Sequence, residues 1–310
     1  NFYLLPKQIG FRTDVNRMYS ERVIRNVNPN TTANIPSLYN KNFNWGRMYD
    51  LKYDLTKSLK VNFSATNNGL IEEGDEFYDQ IDRKANPDTF QLFKDAVFKS
   101  LGEFGTNLNY RHNTNVNYTL PLSKIPITDW INSTAGYTSS YSWLRAPFAA
   151  EHFGSTIQNT QGTNLNATFN MLTLYNKVGY FKKVNQKFRN KGRKPPPKKT
   201  KTDGKGDDKD KQEDKKKNKK DNITILDHIA YKLMSVKNVN ATYSRNRGIL
   251  MPGYNDSTSF IGMSPGFDAP GLGFVFGQQD NFGDAPRFAE YAASNGWLED
   301  TTVINTQYSE

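Results

Sequence analysis

The sequence predicts an all-β fold: antiparallel strands of a transmembrane β-barrel segment, joined by long loops that contain short helices. Three observations carry that expectation. Several long stretches alternate apolar and polar residues with a period of two. No run of eighteen or more apolar residues is present to form a spanning helix. The connections are unequal in length, and a handful of long strands alone would leave unpaired edges in lipid, which only a larger barrel avoids.

The clearest stretch is Phe43 to Ala65. Phe43, Trp45, Tyr49, Leu51, Tyr53 and Leu55 share one parity, and Val61, Phe63 and Ala65 continue it after the turn residues Thr56, Lys57 and Ser58. Asn44, Asp50, Lys52, Asp54 and Asn62 occupy the other. Twelve steps from Phe43 to Leu55 at roughly 3.3 Å span about 40 Å, or about 30 Å at a tilt of roughly 40°. That crosses an outer-membrane apolar band, whereas soluble strands usually run about 5–6 residues. Taken alone, this hairpin fits a soluble sandwich equally well.

The remaining elements follow in order. Residues 7–25 read as a first strand, with Pro6 at its start. An acidic cluster (Glu72, Glu73, Asp75, Glu76, Asp79, Asp82) has the oxygens but not the spacing of a calcium loop. Asp88 reads as an N-cap for a helix through Phe90, Phe93, Val97, Phe98 and Leu101, closed by Gly102. Even positions carry the apolar face from Leu108 to Leu122, interrupted by His112 and Thr114. A strand follows with Tyr137, Tyr141 and Trp143 on its apolar face and Asn132 and Thr134 on its polar face. Trp130 and Trp143 lie near its two ends, as girdle aromatics would. In the segment 157–175, Leu165, Phe169 and Met171 oppose Asn166 and Asn170, and the polar NTQGTN half is expected to project beyond the membrane. Residues 174–188 read as a short helix or an extended tail, and 235–246 as a seventh strand.

These patterns assign lipid-facing roles to Phe43, Trp45, Tyr49, Leu51, Tyr53, Leu55, Val61, Phe63, Tyr137, Tyr141, Trp143, Leu165, Phe169 and Met171. Lumen-facing roles fall to Asn44, Asp50, Lys52, Asp54, Asn62, Asn132, Thr134, Asn166 and Asn170. Four regions are expected: barrel strands and loops (1–188), a disordered Lys-rich insertion (189–221), a short helix and barrel strand (222–247), and a Gly/Pro-rich long loop leading to the next strand (248–310). If 56–58 and 123–128 are periplasmic turns, the loops at 66–105, 146–156 and 248–302 face outward.

Composition adds limits. The net charge of +10 is concentrated in one place: 189–220 holds fifteen Lys and Arg against six Asp and Glu, which leaves +1 for the rest. Interleaved acids and a lack of aromatics make that tract a solvated linker and not a nucleic-acid arm. Mean hydropathy is −0.77, compatible with a barrel because half of each strand faces water. There is no Cys, and the three His residues lie in separate elements. No nucleophile, metal set or cofactor motif is recognisable, and GLGFVFG lacks the Lys and Ser/Thr of a phosphate loop. The chain is therefore not expected to be an enzyme. Asn1 is not an initiator Met and no leader-like segment follows it, so a processed product or an excerpt is expected.

Several stretches together carry a family resemblance: NRMYSERVIRN (16–26), NFNWGRMYDLKYDLTKSLKVNFSATNN (42–68), TLPLSKIPITDW (119–130), NTQGTNLNATFNMLTLYNK (159–177), MPGY (251–254) and SPGFDAPGLGFVFGQQ (264–279). They resemble the C-terminal half of the SprA (Sov) family, the outer-membrane translocon of the type IX secretion system. The 42–68 block is the most specific, and 189–221 is not part of the pattern. The resemblance implies a single-chain barrel of about 36 strands, export of folded cargo proteins through a lateral opening, and a role in gliding motility. It also implies a smaller β-barrel shuttle protein and a periplasmic plug protein as partners. Two other readings compete: a plugged outer-membrane nutrient transporter and a soluble extracellular β-rich adhesin.

Overall fold

The computed structural model describes residues 2–24, 38–73, 87–191, 223–299 and 306–310. Most of the Lys-rich tract expected at 189–221 lies outside these residues, as do Asp75, Glu76, Asp79 and Asp82 of the acidic cluster. The elements run β1 (Gln8–Arg22), β2 (Leu38–Asp54), β3 (Leu59–Leu70), α1 (Pro87–Gly102), β4 (Thr106–Leu120), β5 (Ile131–Leu144), β6 (Ser155–Asn170), α2 (Met171–Lys177), α3 (Gly179–Lys191), α4 (Ile225–Leu233), β7 (Asn238–Tyr254), α5 (Leu272–Val275), α6 (Phe288–Ser294) and β8 (Gln307–Ser309). Short 3-10 turns sit at Pro121–Lys124 and Phe148–Phe153.

All eight strands form one antiparallel sheet in chain order. Period-two patterning favours this meander, in which each strand pairs with its sequence neighbour across short and long connections alike. The sheet does not close on itself in this chain: β1 and β8 are its two edges. β1 pairs with β2 from Gln8↔Lys52 to Arg22↔Leu38 without a register break. The expected Thr56–Ser58 turn is present, with Thr56 Oγ1 accepting from Ser58 N (3.2 Å) and Leu59 N (2.9 Å). Connections β2–β3 and β4–β5 leave one end of the sheet, and β3–β4, β5–β6 and β7–β8 leave the other.

Register fixes which residues share a face, because antiparallel partners point the same way. Phe11, Tyr49, Ala65 and His112 form one such row. A bulge between Asn68 and Gly69 shifts the β3–β4 register, so Gly69 opposes Asn107 and Leu108 is passed over. The strict even alternation expected from Leu108 therefore fails at the first turn of β4, and Asn107 joins the face of Tyr110 and His112. β7 also extends further than 235–246. It reaches Tyr254, so the expected boundary at 247 falls inside a strand.

The chain divides into two compact units: residues 1–119, 134–165 and 243–310 form one, and 120–133 with 166–242 the other. In the second unit β6 ends at Asn170, whose side chain accepts from Thr173 N (3.1 Å) and caps α2. This corrects two expectations. Met171 is not a lipid-facing strand residue but the first residue of a helix, and Asn170 is an N-cap. Met171, Phe181 and Phe188 pack on a small core of Tyr175, Val184, Ala230 and Met234. Phe188 stacks on Tyr231 with centroids 4.2 Å apart. Trp130 precedes β5, donates to the Ile127 carbonyl (2.9 Å) and lies 5.7 Å from the Phe169 ring.

Asp227 organises the start of α4. It accepts from the Thr224 backbone N–H (3.0 Å), Lys187 Nζ (3.1 Å) and the Tyr180 hydroxyl (3.2 Å) while Thr224 Oγ1 accepts from Asp227 N (3.3 Å), a capping box. The Thr224 N–H and then the Lys187 ammonium hold its carboxyl down at about 2. A depressed carboxyl stabilises the fold above its unfolded value, near 4, and loses that contribution as pH falls toward 2. Amide exchange of 225–233, corrected for intrinsic rate, should therefore quicken between pH 4 and pH 2. Asp227→Asn should show fast exchange already at pH 6 and a flatter pH profile.

Candidate wall face and the segment that caps it

The two faces of the sheet differ along their length. One carries Asn44, Asp50, Lys52 and Asp54 on β2, Asn62 on β3, Asn132 and Thr134 on β5, and Asn166 on β6. Asp50, Lys52, Asn62, Asn132, Thr134 and Asn166 are exposed, and Asn44 and Asp54 are half-buried. No large apolar cluster covers this side among the described residues. Ser140 and Thr160 hydroxyls meet across β5–β6 (2.6 Å), and Gly136 leaves room for the Asn164 side chain. It is a surface built largely of short polar side chains.

The opposite face is apolar, and protein covers part of it. Residues 255–299, the Gly/Pro-rich segment after β7, fold back over the end of the sheet where β7 finishes. The resulting core joins Tyr110, Tyr141, Trp143, Ile157, Ile249, Met251 and Tyr254 from the strands to Met263, Phe274, Val275, Phe282, Phe288 and Trp297 from the cap. Phe274 and Phe288 stack at 3.7 Å, and Phe274 meets Tyr141 edge-on at 6.1 Å. Two expected lipid-facing residues are therefore corrected: Tyr141 (1% exposed) and Trp143 (2% exposed) are interior core residues, enclosed by the chain's own cap. Trp143 is not a girdle residue, and its indole N–H donates to the Asp256 carbonyl (3.0 Å).

The cap has little regular structure, so its backbone carbonyls need partners from elsewhere. Polar residues standing on the apolar face supply them. Asn107 Nδ2 donates to Thr258 O (2.5 Å), and Asn159 Nδ2 donates to Phe274 O (2.8 Å) and Gln278 O (3.0 Å). The Tyr137 hydroxyl donates to Phe276 O (2.5 Å). His112, fully buried, places Nε2 3.0 Å from Val275 O; a carbonyl only accepts, so Nε2 carries the proton. Gln279 Nε2 returns a bond to Asn159 Oδ1 (3.0 Å). Arg247 pairs with Asp280 and donates to Gln161 Oε1 (2.9 Å).

Among the described residues, nothing covers the apolar face below the cap. Tyr49 (39%), Leu165 (41%) and Tyr243 (56%) are exposed, and Leu51, Tyr53, Leu55, Val61 and Val116 are half-buried with no cap above them. Phe169 is half-buried in the second unit. The other expected members lie at the margin of the cap. Phe63 packs against the cap core, and Tyr137 bonds to it. Trp45 stacks with Phe104 at 6.2 Å and donates to Thr13 Oγ1 (2.6 Å), and Phe43, half-buried, accepts from Ile71 N through its carbonyl (2.8 Å).

Sequence reasoning missed the anchoring role of Asn107, His112 and Asn159. The available signal was polarity out of place: His112 interrupting an apolar parity, and the NTQGTN stretch, which is expected to project beyond the membrane. Of the acidic cluster, Glu73 pairs with Arg17 and Glu72 accepts from the Thr106 hydroxyl (2.6 Å). Among the described residues no group of His, Asp and Glu is arranged to hold a metal. No helix there is long and apolar enough to cross a membrane.

The cap's fit is tightest at Gly262, where φ is +82° and an added Cβ would sit 2.6 Å from Tyr141 Cε1. Gly262→Ala adds both left-handed strain and overpacking, and should destabilise cap docking by about 2–4 kcal/mol. Asn159→Ala, which removes the bonds to the Phe274 and Gln278 carbonyls and from the Gln279 amide, should cost about 1–3 kcal/mol. Protease cleavage within 255–299 of the folded protein reads both, with unchanged susceptibility counting against the anchoring role. No protein-family model matches the chain, and no curated protein matches it.

Proposed function

We propose that this chain is a wall segment of a large outer-membrane β-barrel that conducts folded cargo proteins, as in type IX secretion and the gliding motility that depends on it. The observation that carries the reading is the asymmetry of the sheet: a largely polar face backs an apolar face that, among the described residues, stays uncovered below the cap. A barrel wall needs this arrangement, with lipid on one side and hydrated cargo on the other. The open edges at β1 and β8 support it, because unpaired strand backbone demands neighbouring strands in lipid. The resemblance of 42–68 and 264–279 to the SprA (Sov) family adds the substrate class. On this reading the partners are outer-membrane lipid, secreted cargo, a smaller barrel shuttle and a periplasmic plug.

One measurement favours a second reading. Below Arg47, the six uncovered steps from Tyr49 to Leu55 span about 20 Å of strand, somewhat short of the roughly 25 Å apolar band of characterised barrels. A soluble adhesive β-protein whose remaining apolar face is covered by another chain would show such a band. Detergent partitioning of the full-length protein separates the two, since recovery in the aqueous phase without detergent overturns the wall reading. Within the wall reading, Leu51→Arg should cost about 2–4 kcal/mol at mid-bilayer, and Asp50→Asn on the polar face should cost little. The heat needed to unfold the barrel on a gel, with cargo export alongside, reads both, and equal tolerance at the two positions counts against it.

A further inference from the structure

A cavity of about 530 Å³ opens at the edge of the cap, between β2–β4, the end of the α1 connection and residues 259–261. Its size falls in the roughly 300–1,000 Å³ range of small-molecule sites. Tyr49, Phe63, Ala65, Phe104, Phe260 and Ile261 form its apolar lining. Tyr49 belongs equally to the uncovered band, so the cavity is continuous with the apolar surface below it. Phe104, Phe260 and Ile261 are 54%, 59% and 45% exposed, which leaves apolar surface at the mouth with no protein on it.

Arg47 lines this cavity and is only 4% exposed. Its guanidinium carbon lies 4.8 Å from the Trp45 ring centroid and 5.7 Å from that of Phe104, and Nη2 donates to Asn107 Oδ1 (3.1 Å). Nε is buried without a partner, and among the described residues no carboxylate pairs with the group. Asn67, 5% exposed and lining the same cavity, has an Oδ1 equally without a partner. A buried cation normally has a counter-charge, because desolvating it alone is costly. Ring faces offset that cost in part, but they do not use the Nε donor. The cavity thus combines an apolar pocket, a planar cation with a free donor and an amide able to turn its NH₂ toward an anion, with one carboxylate, Glu103, also in the lining but not paired with Arg47.

We propose that this cavity binds a single-chain anionic amphiphile, an alkyl carboxylate or alkyl phosphate, with its head on Arg47 and its chain along Tyr49, Phe63 and Phe104. The site lies wholly within the sheet-and-cap unit and does not rest on the export reading. The guanidinium sets the charge of the head, and the lining sets the preference for an alkyl tail.

The test uses the full-length protein in neutral maltoside detergent, titrated with laurate and with dodecyl phosphate by calorimetry and by fluorescence of Trp45, which stacks against Arg47. Both ligands should bind at one per chain, and Arg47→Met should weaken them on the order of tenfold to a hundredfold, as expected for one charge-assisted hydrogen bond. Arg47→Lys should restore part of that loss. Dodecyltrimethylammonium should bind wild type no better than Arg47→Met. Shortening the alkyl chain should weaken wild-type binding by roughly threefold to fourfold per methylene removed, a readout that needs no variant. Equal affinity of wild type and Arg47→Met for laurate, or a flat chain-length series, overturns the proposal. Inorganic phosphate binding as tightly as dodecyl phosphate also overturns it, since that marks a free-anion site.

Discussion

Satisfying the backbone of the cap is the constraint on which the rest of the structure depends. A segment of some forty-five residues (255–299) with only two short helices lies over an apolar sheet, and the carbonyls it buries there need partners. Each unmet carbonyl would cost about 1–3 kcal/mol. His112, Tyr137, Trp143 and Asn159 meet them from positions whose sequence parity is otherwise apolar, and Asn107 from the polar parity of β4. The hydrogen bonds set where the cap sits, and the rings of Tyr141, Phe274 and Phe288 supply the burial that holds it there. The bulge at Gly69 belongs to the same solution, because it turns Asn107 rather than Leu108 toward Thr258.

The cap divides one long apolar face into a part that behaves as the core of a folded domain and a part left open. A wall proposed to meet lipid needs the second part, and the first can stand clear of the bilayer because the protein provides its own cover. On the proposed wall reading, the division also accounts for strands longer than a membrane crossing requires. β2 has 17 residues and β7 has 17, and on both the end near the cap is occupied by protein contacts and hydrogen bonds. Arg47 sits at the border between the two parts, where protein packing gives way to open apolar surface.

Much of this was legible in the residues. The alternation from Phe43 to Ala65, the turn at Thr56–Ser58 and the helix through Phe90 and Leu101 rest on local rules of period and turn chemistry, and the structure has each of them; that helix begins at Pro87, so Asp88 lies in its first turn and is not the N-cap. The face assignments were weaker, because period two separates two faces without saying what covers either. Tyr141 and Trp143 look like Tyr49 and Tyr53 in pattern and differ only in lying beneath the cap. Met171 continued the alternation of β6, yet Asn170 capping α2 ended the strand one residue earlier.

By itself the sequence determined the strands, their order, a polar and an apolar face, and a Gly/Pro-rich segment too rich in aromatics to be a plain linker. These follow from interactions between residues close in the chain or from a repeat of two. Tertiary structure alone decided which half of the apolar face is core and which is open. It also decided that His112 and Asn159 are anchors, and that Arg47 lies buried beside a cavity without a counter-charge. Each of those outcomes depends on a contact spanning many tens of residues, such as His112 with Val275 or Asn107 with Thr258. No local pattern encodes such a pairing, because it exists only after the cap folds back on the sheet.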